Sequence, residues 1–340
     1  MRFRQLGNTG LYVSELSLGT MTLGEADPTS MFYGIGCPKE EAYKILDHAL
    51  GSGINLLDTA NVYGQDGMVE KLLGEYFTLR KNRKDLILGT KFRFSMGDLP
   101  HQSGASRRHI MLAVEDSLSR LKTDYIDLYQ VHMEDSNTPE EETLRALDDL
   151  IRQGKIRYIG ASNYRAFRFL DAHYTSIIKG LNRYCSLQMQ YHLLAREIEK
   201  EHVPICVNHG MGLLVWSPLA GGFLSGKYSS GNVEEGTRFS VRKDLASRLD
   251  EKTGHKVVQA LKQISLETNS TPSQVALAWI LRKPGVSSVI VGAKKLLQLE
   301  ENLGCINVTL GPQQMKMLDE MSSFPSVYPY DFIQSKQKKY

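Results

Sequence analysis

The chain has 340 residues, of which 41% are hydrophobic and 23% charged, the proportions of an ordinary globular protein with ample material for a large core. Its formal net charge of +3 is too small to argue for a nucleic-acid or anionic-membrane partner, and leaves only a local basic pocket for a phosphate. No window approaches the roughly 18 apolar residues of a membrane span. From the N-terminus, Met1-Arg2-Phe3-Arg4-Gln5-Leu6-Gly7 lacks the apolar centre of a signal peptide. At the other end, Lys338-Lys339-Tyr340 matches no lipid or retention signal. Cys37, Cys185, Cys206 and Cys305 are scattered with no CxxC pair, which points to a reduced, cytoplasmic protein. The sequons at Asn269 and Asn307 then read as chance matches.

Short β-rich runs alternate with helical stretches along the chain. In order, the expected strands are 16–20, 55–59, 86–91, 126–132, 158–162, 187–190, 212–217 and 287–292. Between them, residues 140–153 carry Leu144, Leu147, Leu150 and Ile151 at helical spacing, after Pro139 and before Gly154. A second helix is expected over 272–281, with Thr271 as its N-cap. Eight strand–helix units predict an α/β fold of the (β/α)8 TIM-barrel type. It forms a single domain over 1–340, with a core over about 12–310 and a tail over 311–340. An open, doubly wound sheet is the alternative. Residues 24–38, 92–104 and 219–242 read as long loops after strands, where a barrel builds its active-site face.

Polar residues gather at the strand ends. Asp58 ends the second strand and Tyr63 follows it, while Lys91 ends the third and His132 the fourth. A tyrosine titrates near pH ~10, and a neighbouring ammonium favours its phenolate. A carboxylate would hold that lysine, and a histidine would orient a carbonyl. The set suits proton delivery to an oxygen becoming an alkoxide, with hydride from an external donor. Singly, each residue reads as a cap, a packing tyrosine or a structural histidine; their joint placement reverses that.

The phrases Asp58-Thr59-Ala60-Asn61-Val62-Tyr63-Gly64, Gly89-Thr90-Lys91-Phe92 and Gln130-Val131-His132 resemble signature blocks of the aldo-keto reductase family. So do Gly160-Ala161-Ser162-Asn163, Gln188-Met189-Gln190-Tyr191, Trp216-Ser217-Pro218-Leu219-Ala220-Gly221-Gly222 and the late block from Val291 to Asn302. They run in family order over nearly the whole chain. The resemblance implies a catalytic tetrad of Asp58, Tyr63, Lys91 and His132, with Tyr63 as the proton donor. It implies NADP(H) as cofactor. Ser162, Asn163 and Gln188 would bind the nicotinamide carboxamide, and Trp216 would stack on the ring. Gly19, Thr20 and Met21 at the first strand end, with Asp58, would lie along the cofactor. Backbone amides near Leu219, Gly221 and Leu224, with Lys227, would hold the pyrophosphate, and Ser217 and Pro218 would also contact the cofactor. Lys294 and Gln298 would face the adenosine 2′-phosphate, Glu301 and Asn302 would lie near the adenine, and Gly292 would also contact the cofactor. Lys294 favours NADP(H) by charge pairing, a role that Lys295 can share.

Loop position alone lines the pocket for a small carbonyl substrate with Phe32, Tyr33, Phe92 and Met133 around Tyr63 and His132. Met21, Phe94, Tyr328 and Phe332 join them. Arg93 and Arg107 are candidates for an anionic substrate group, against the commoner reading of solvated loop charges. Residues 221–228 nearly spell a nucleotide P-loop but carry Tyr228 where Ser or Thr is required. Gly34-Ile35-Gly36 lacks the third glycine of a dinucleotide fingerprint. His202, Cys206 and His209 share a helix face but lack a fourth metal ligand, so no metal is expected. Two other functions stay open: a barrel lyase using Lys91 as a Schiff base, and a cofactor-holding partner resembling potassium-channel β subunits. The oligomeric state is not legible.

Overall fold

The computed structural model describes residues 1–227, 251–325 and 327–337. Tyr228, the far part of the 219–242 loop and Lys338-Lys339-Tyr340 lie outside the described residues. Eight parallel strands close into a barrel: β3 (Leu16–Gly19), β4 (Leu56–Asp58), β5 (Ile87–Phe92), β6 (Ile126–Val131), β7 (Ile156–Ser162), β8 (Ser186–Gln190), β9 (Gly212–Trp216) and β10 (Val286–Gly292). Each pairs with the next, and β10 closes on β3 with Val289 beside Leu16. All eight expected strands are present, so the closed barrel replaces the open-sheet alternative.

Side chains alternate across each strand, and this decides what fills the barrel. Leu56, Ile87, Leu128, Leu214 and Ile290 pack together inside its lower half. Two residues further on, or four on β5, the same inward phase carries Asp58, Lys91, Gln130 and Trp216. The interior therefore changes from apolar to polar along the strand direction. The opposite phase faces the helices and forms the larger core, with Leu57, Leu88, Phe92, Tyr129 and Val131 among its members.

A hairpin that the sequence pattern did not disclose precedes the barrel. Its strands β1 (Phe3–Gln5) and β2 (Tyr12–Ser14) are antiparallel. Leu6 and Val13 are fully buried and cap the lower apolar layer from below. Burial of each such side chain is worth about 1.5–3 kcal/mol. The hairpin is also tied by charge. Buried Glu15 pairs with Arg2 at 2.9 Å and Arg4 at 3.3 Å. Arg4 in turn donates to the carbonyls of Leu281 and Val286, each at 2.8 Å.

The described helices ring the barrel: α1 (Lys39–Gly51), α2 (Met68–Arg80), α3 (Arg107–Leu121), α4 (Glu140–Arg152), α5 (Ala166–Lys179), α6 (His202–His209), α7 (Glu251–Glu267), α8 (Pro272–Leu281), α9 (Leu296–Leu303), α10 (Pro312–Met321) and α11 (Tyr330–Gln337). In α4, three glutamates open the first turn, Leu144, Leu147 and Leu150 are buried, and Gly154 follows with a φ of 74°. In α8, Thr271 Oγ1 accepts from Gln274 N at 3.3 Å, and Gln274 Oε1 accepts from Thr271 N at 3.1 Å, a reciprocal cap. Two close approaches require glycine. A Cβ on Gly74 of α2 would sit 2.2 Å from the Arg120 carbonyl of α3. One on Gly36 would sit 1.8 Å from the Gly24 carbonyl, so this glycine closes the base of the 24–38 loop.

Candidate active site

The polar upper layer converges on one ammonium. Lys91 is fully buried and donates to Asp58 Oδ2 at 2.6 Å, to the Thr59 carbonyl at 2.9 Å and to the Tyr63 hydroxyl at 3.4 Å. Burial opposes its charge, but Asp58 and then Tyr63 outweigh that, and the Lys91 pKa lies above its ordinary value. The second oxygen of Asp58 accepts from two amides, Gln188 Nε2 at 2.8 Å and Gln130 Nε2 at 3.2 Å, and these amides contact each other at 3.3 Å. Gln130 went unnoticed as a site residue in the sequence. Its signal was its phase, two residues before His132 on the inward side of β6.

His132 follows β6, and its ring meets Tyr63 edge-on at 5.8 Å. Burial pushes the His132 pKa well below its usual value, and Lys91 and Arg93 add to the shift. It is therefore a neutral imidazole near pH 7, a hydrogen-bond donor with no net charge. Its Nδ1 is buried and has no partner. Four residues expected from separate strands and a loop thus lie together.

The cofactor candidates form a second network beside the first. Asn163 sits in left-handed backbone at φ 53° and donates from Nδ2 to the His132 carbonyl and to Ser162 Oγ, each at 2.9 Å. Its Oδ1 accepts from Trp216 Nε1 at 3.1 Å, which fixes the plane of a half-buried indole. Ser217, also left-handed at φ 54°, accepts through Oγ from Gly221 N at 3.3 Å, and Pro218 is buried. The segment Ala220–Ser225 is a tight turn in which Gly221 and Gly222 have φ of 68° and 104°. Left-handed glycines without side chains let an anion approach the backbone. Leu224 is buried, Leu219 half-buried and Lys227 exposed, with Lys227 Nζ 3.8 Å from Glu301.

Other expected positions lie around the same rim. Gly19 ends β3 against Ile290, Thr20 Oγ1 donates to the Asp58 carbonyl at 3.1 Å, and Met21 is half-buried. Gly292 is exposed at the end of β10. Lys294 Nζ donates to the Gly34 carbonyl at 2.9 Å, bringing the last block to the 24–38 loop. Gln298 Oε1 accepts from the backbone N–H groups of Lys294 and Lys295. Glu41 accepts from Leu296 N at 2.8 Å, which places a carboxylate beside this basic block. Asn302 is buried, and Glu301 accepts from Thr271 Oγ1 at 3.2 Å.

The expected pocket lining needs one correction. Phe92 is fully buried and stacks on Tyr129 at 4.8 Å, among the residues that face the helices. It adjoins inward-facing Lys91 on the strand and must therefore point outward. Phe94 instead reaches the site, edge-on to His132 at 4.6 Å. Phe32 approaches Tyr63 at 6.1 Å, Met133 is half-buried and Tyr33 is exposed. Tyr328 and Phe332 are exposed and contact each other at 6.3 Å. Arg107 is committed to Asp149. Arg93 Nε, by contrast, is buried without a hydrogen bond, and its residue has a φ of 112°. Such backbone costs of order 1–3 kcal/mol and persists mainly at functional sites.

On α6, Cys206 is buried, His202 Nε2 lies 2.9 Å from the Tyr164 carbonyl, and His209 contacts the His173 ring at 4.7 Å. Among the described residues no group of three or more His, Cys, Asp or Glu is placed to hold a metal. No helix among them is long and apolar enough to cross a membrane.

A profile of the aldo/keto reductase family matches residues 15–323. The chain is 33% identical over 335 residues to an uncharacterized oxidoreductase of Bacillus subtilis (strain 168), covering 96% of this chain and 97% of that one. It is 36% identical over 312 residues to a probable voltage-gated potassium channel subunit beta of Arabidopsis thaliana, covering 91% and 92%. It is 31% identical over 342 residues to an aryl-alcohol dehydrogenase [NADP(+)] of Phanerodontia chrysosporium, covering 97% and 88%.

Proposed function

Because the chain belongs to the aldo/keto reductase family, we propose that it reduces an aldehyde or ketone to an alcohol with NADP(H), using Tyr63 as the proton donor. The observation that carries this reading is the Lys91 ammonium, held between Asp58 at 2.6 Å and the Tyr63 hydroxyl at 3.4 Å inside a closed barrel.

The residues fit the cofactor. The Asn163 amide network and the fixed, half-buried Trp216 indole suit a planar carboxamide-bearing ring. Gln188 turns its donor side to Asp58, which leaves its acceptor side for the carboxamide with Ser162 and Asn163. The turn around Gly221 and Gly222, with Lys227, would hold the pyrophosphate. Lys294 would meet the 2′-phosphate, where Glu41 opposes it. When bound, NADPH supplies the hydride that the protein's side chains cannot. His132, neutral and donating, orients the carbonyl oxygen. Tyr63 O–H gives its proton to that oxygen as it becomes an alkoxide. Lys91 stabilises the phenolate left behind, and Asp58 keeps Lys91 in place.

The test is NADPH consumption over an aldehyde and ketone panel, with Tyr63→Phe as the comparison. General acid catalysis is worth roughly 10²–10⁴-fold, and the variant should lose that much in kcat while still quenching NADPH fluorescence. Turnover equal to the parent's would sink the mechanism. The Schiff-base alternative fits poorly, since an imine needs a neutral amine, whereas Lys91 has a raised pKa and donates to three oxygens. The likeness to a relative named as a channel subunit keeps a cofactor-holding partner role as the second reading. Turnover above about 1 s⁻¹ on any panel member decides for the reductase.

A further inference from the structure

Arg93 stands two residues beyond Lys91, just past the end of β5 on the same rim as the tetrad. Its guanidinium has no ion pair among the described residues, and its Nε is buried without a hydrogen bond. Asp135 feels the charge of Arg93 but gives its hydrogen bonds to other donors. Asp135 accepts from Ala105 N at 2.8 Å, Thr138 Oγ1 at 2.7 Å and Asn137 N at 3.0 Å. Arg93 Cζ lies 5.8 Å from the Phe94 ring, and that ring lies 4.6 Å from His132. A buried guanidinium N–H without an acceptor is costly, and so is the φ of 112° that presents it.

We propose that Arg93 binds a carboxylate on the substrate, so that the chain takes aldehydes or ketones that carry one. The carbonyl half of this inference rests on the reductase reading; the anion site does not. A single guanidinium offers a planar fork that matches a carboxylate bidentately. Its one charge balances a monoanion, whereas a phosphate monoester carries about −1.5 to −2. Phe94 touches both His132 and Arg93, so carbonyl and carboxylate are separated by a spacer, as in a formylbenzoate or an ω-oxo acid. An α-oxo acid lacks that spacer.

The experiment compares the parent with Arg93→Gly, a residue that suits φ 112°, and with Arg93→Lys. Two readouts are needed. The first is NADPH-dependent reduction of 4-formylbenzoate against its methyl ester, with glyceraldehyde 3-phosphate against glyceraldehyde as the phosphate arm. The second is calorimetric titration of the NADP+-loaded protein with benzoate against benzamide. In Arg93→Gly the preference in kcat/KM for acid over ester should fall at least about ten-fold, through KM, with partial recovery in Arg93→Lys. Benzoate affinity should fall about as much. An unchanged preference, a parallel loss on acid and ester, or a dependence that follows the phosphate rather than the carboxylate would overturn the proposal. If the parent reduces none of these aldehydes and none of the wider panel, but its benzoate binding still depends on Arg93, the reductase reading fails and the anion site stands.

Discussion

His192 is 2% exposed, its Nδ1 accepts from Leu194 N at 3.1 Å, and burial pushes its pKa down to about 4. In the unfolded chain the same imidazole takes up a proton near pH ~6.5. The unfolded state therefore binds more protons between those values. The stability His192 lends is full above pH ~6.5 and drains away as pH falls towards 4. At pH 4.5 the loss amounts to about 2.5 kcal/mol. Urea unfolding at pH 7 and pH 4.5 should show a smaller drop for His192→Gln than for the parent, by about that amount. Equal drops would mean that His192 is not buried as described. At this scale the sequence was legible where residue type implied chemistry, as for Asp58, Lys91 and His132. It was not legible where phase decided. Phe92 looked like pocket lining until strand alternation turned it outward, and Gln130 looked neutral until the same alternation turned it towards Asp58.

Among elements, the barrel strands were readable because each is a short apolar run ending in polar residues, and α4 and α8 because their caps and apolar spacing agree. The hairpin of β1 and β2 was not. Phe3–Gln5 and Tyr12–Ser14 hold one or two apolar residues each, too few to show a pattern, and the burial of Leu6 and Val13 depends on a barrel floor assembled from distant segments. The packing of α2 on α3 was equally hidden, since a helical glycine ordinarily reads as a weakness. Gly74 instead admits the Arg120 carbonyl. Gly74→Ala gains up to about 1 kcal/mol of helix propensity but forces two backbones apart, which typically costs about 1–3 kcal/mol. A net loss is expected, seen as a lower urea midpoint at unchanged slope. An unchanged or higher midpoint would show that the helices yield freely there.

For the molecule as a whole, the residues proposed to hold the cofactor come from the ends of β3, β7, β8, β9 and β10, so one ligand bound there would tie distant parts of the chain together. A ligand at 100 times its Kd stabilises the folded state by about 2.7 kcal/mol. Thermal unfolding should therefore shift up by a few degrees with NADPH, and less with the same concentration of NADH. Lys294→Glu should narrow or invert that difference, since it replaces the cation expected at the 2′-phosphate. If both cofactors shift parent and variant alike, Lys294 does not read the phosphate.

The hairpin floor also bears on how the chain comes into being. Arg4 leaves the ribosome well before its acceptor on Val286, which is 282 positions later in the sequence. β3 likewise waits for β10 as its neighbour. Until β10 has been made, Leu16–Gly19 lacks its neighbour on that side and the arm that carries Arg4 lacks its acceptors at Leu281 and Val286. The barrel is sealed only when its last strand emerges, and until then this exposed margin is where a chaperone has most to shield.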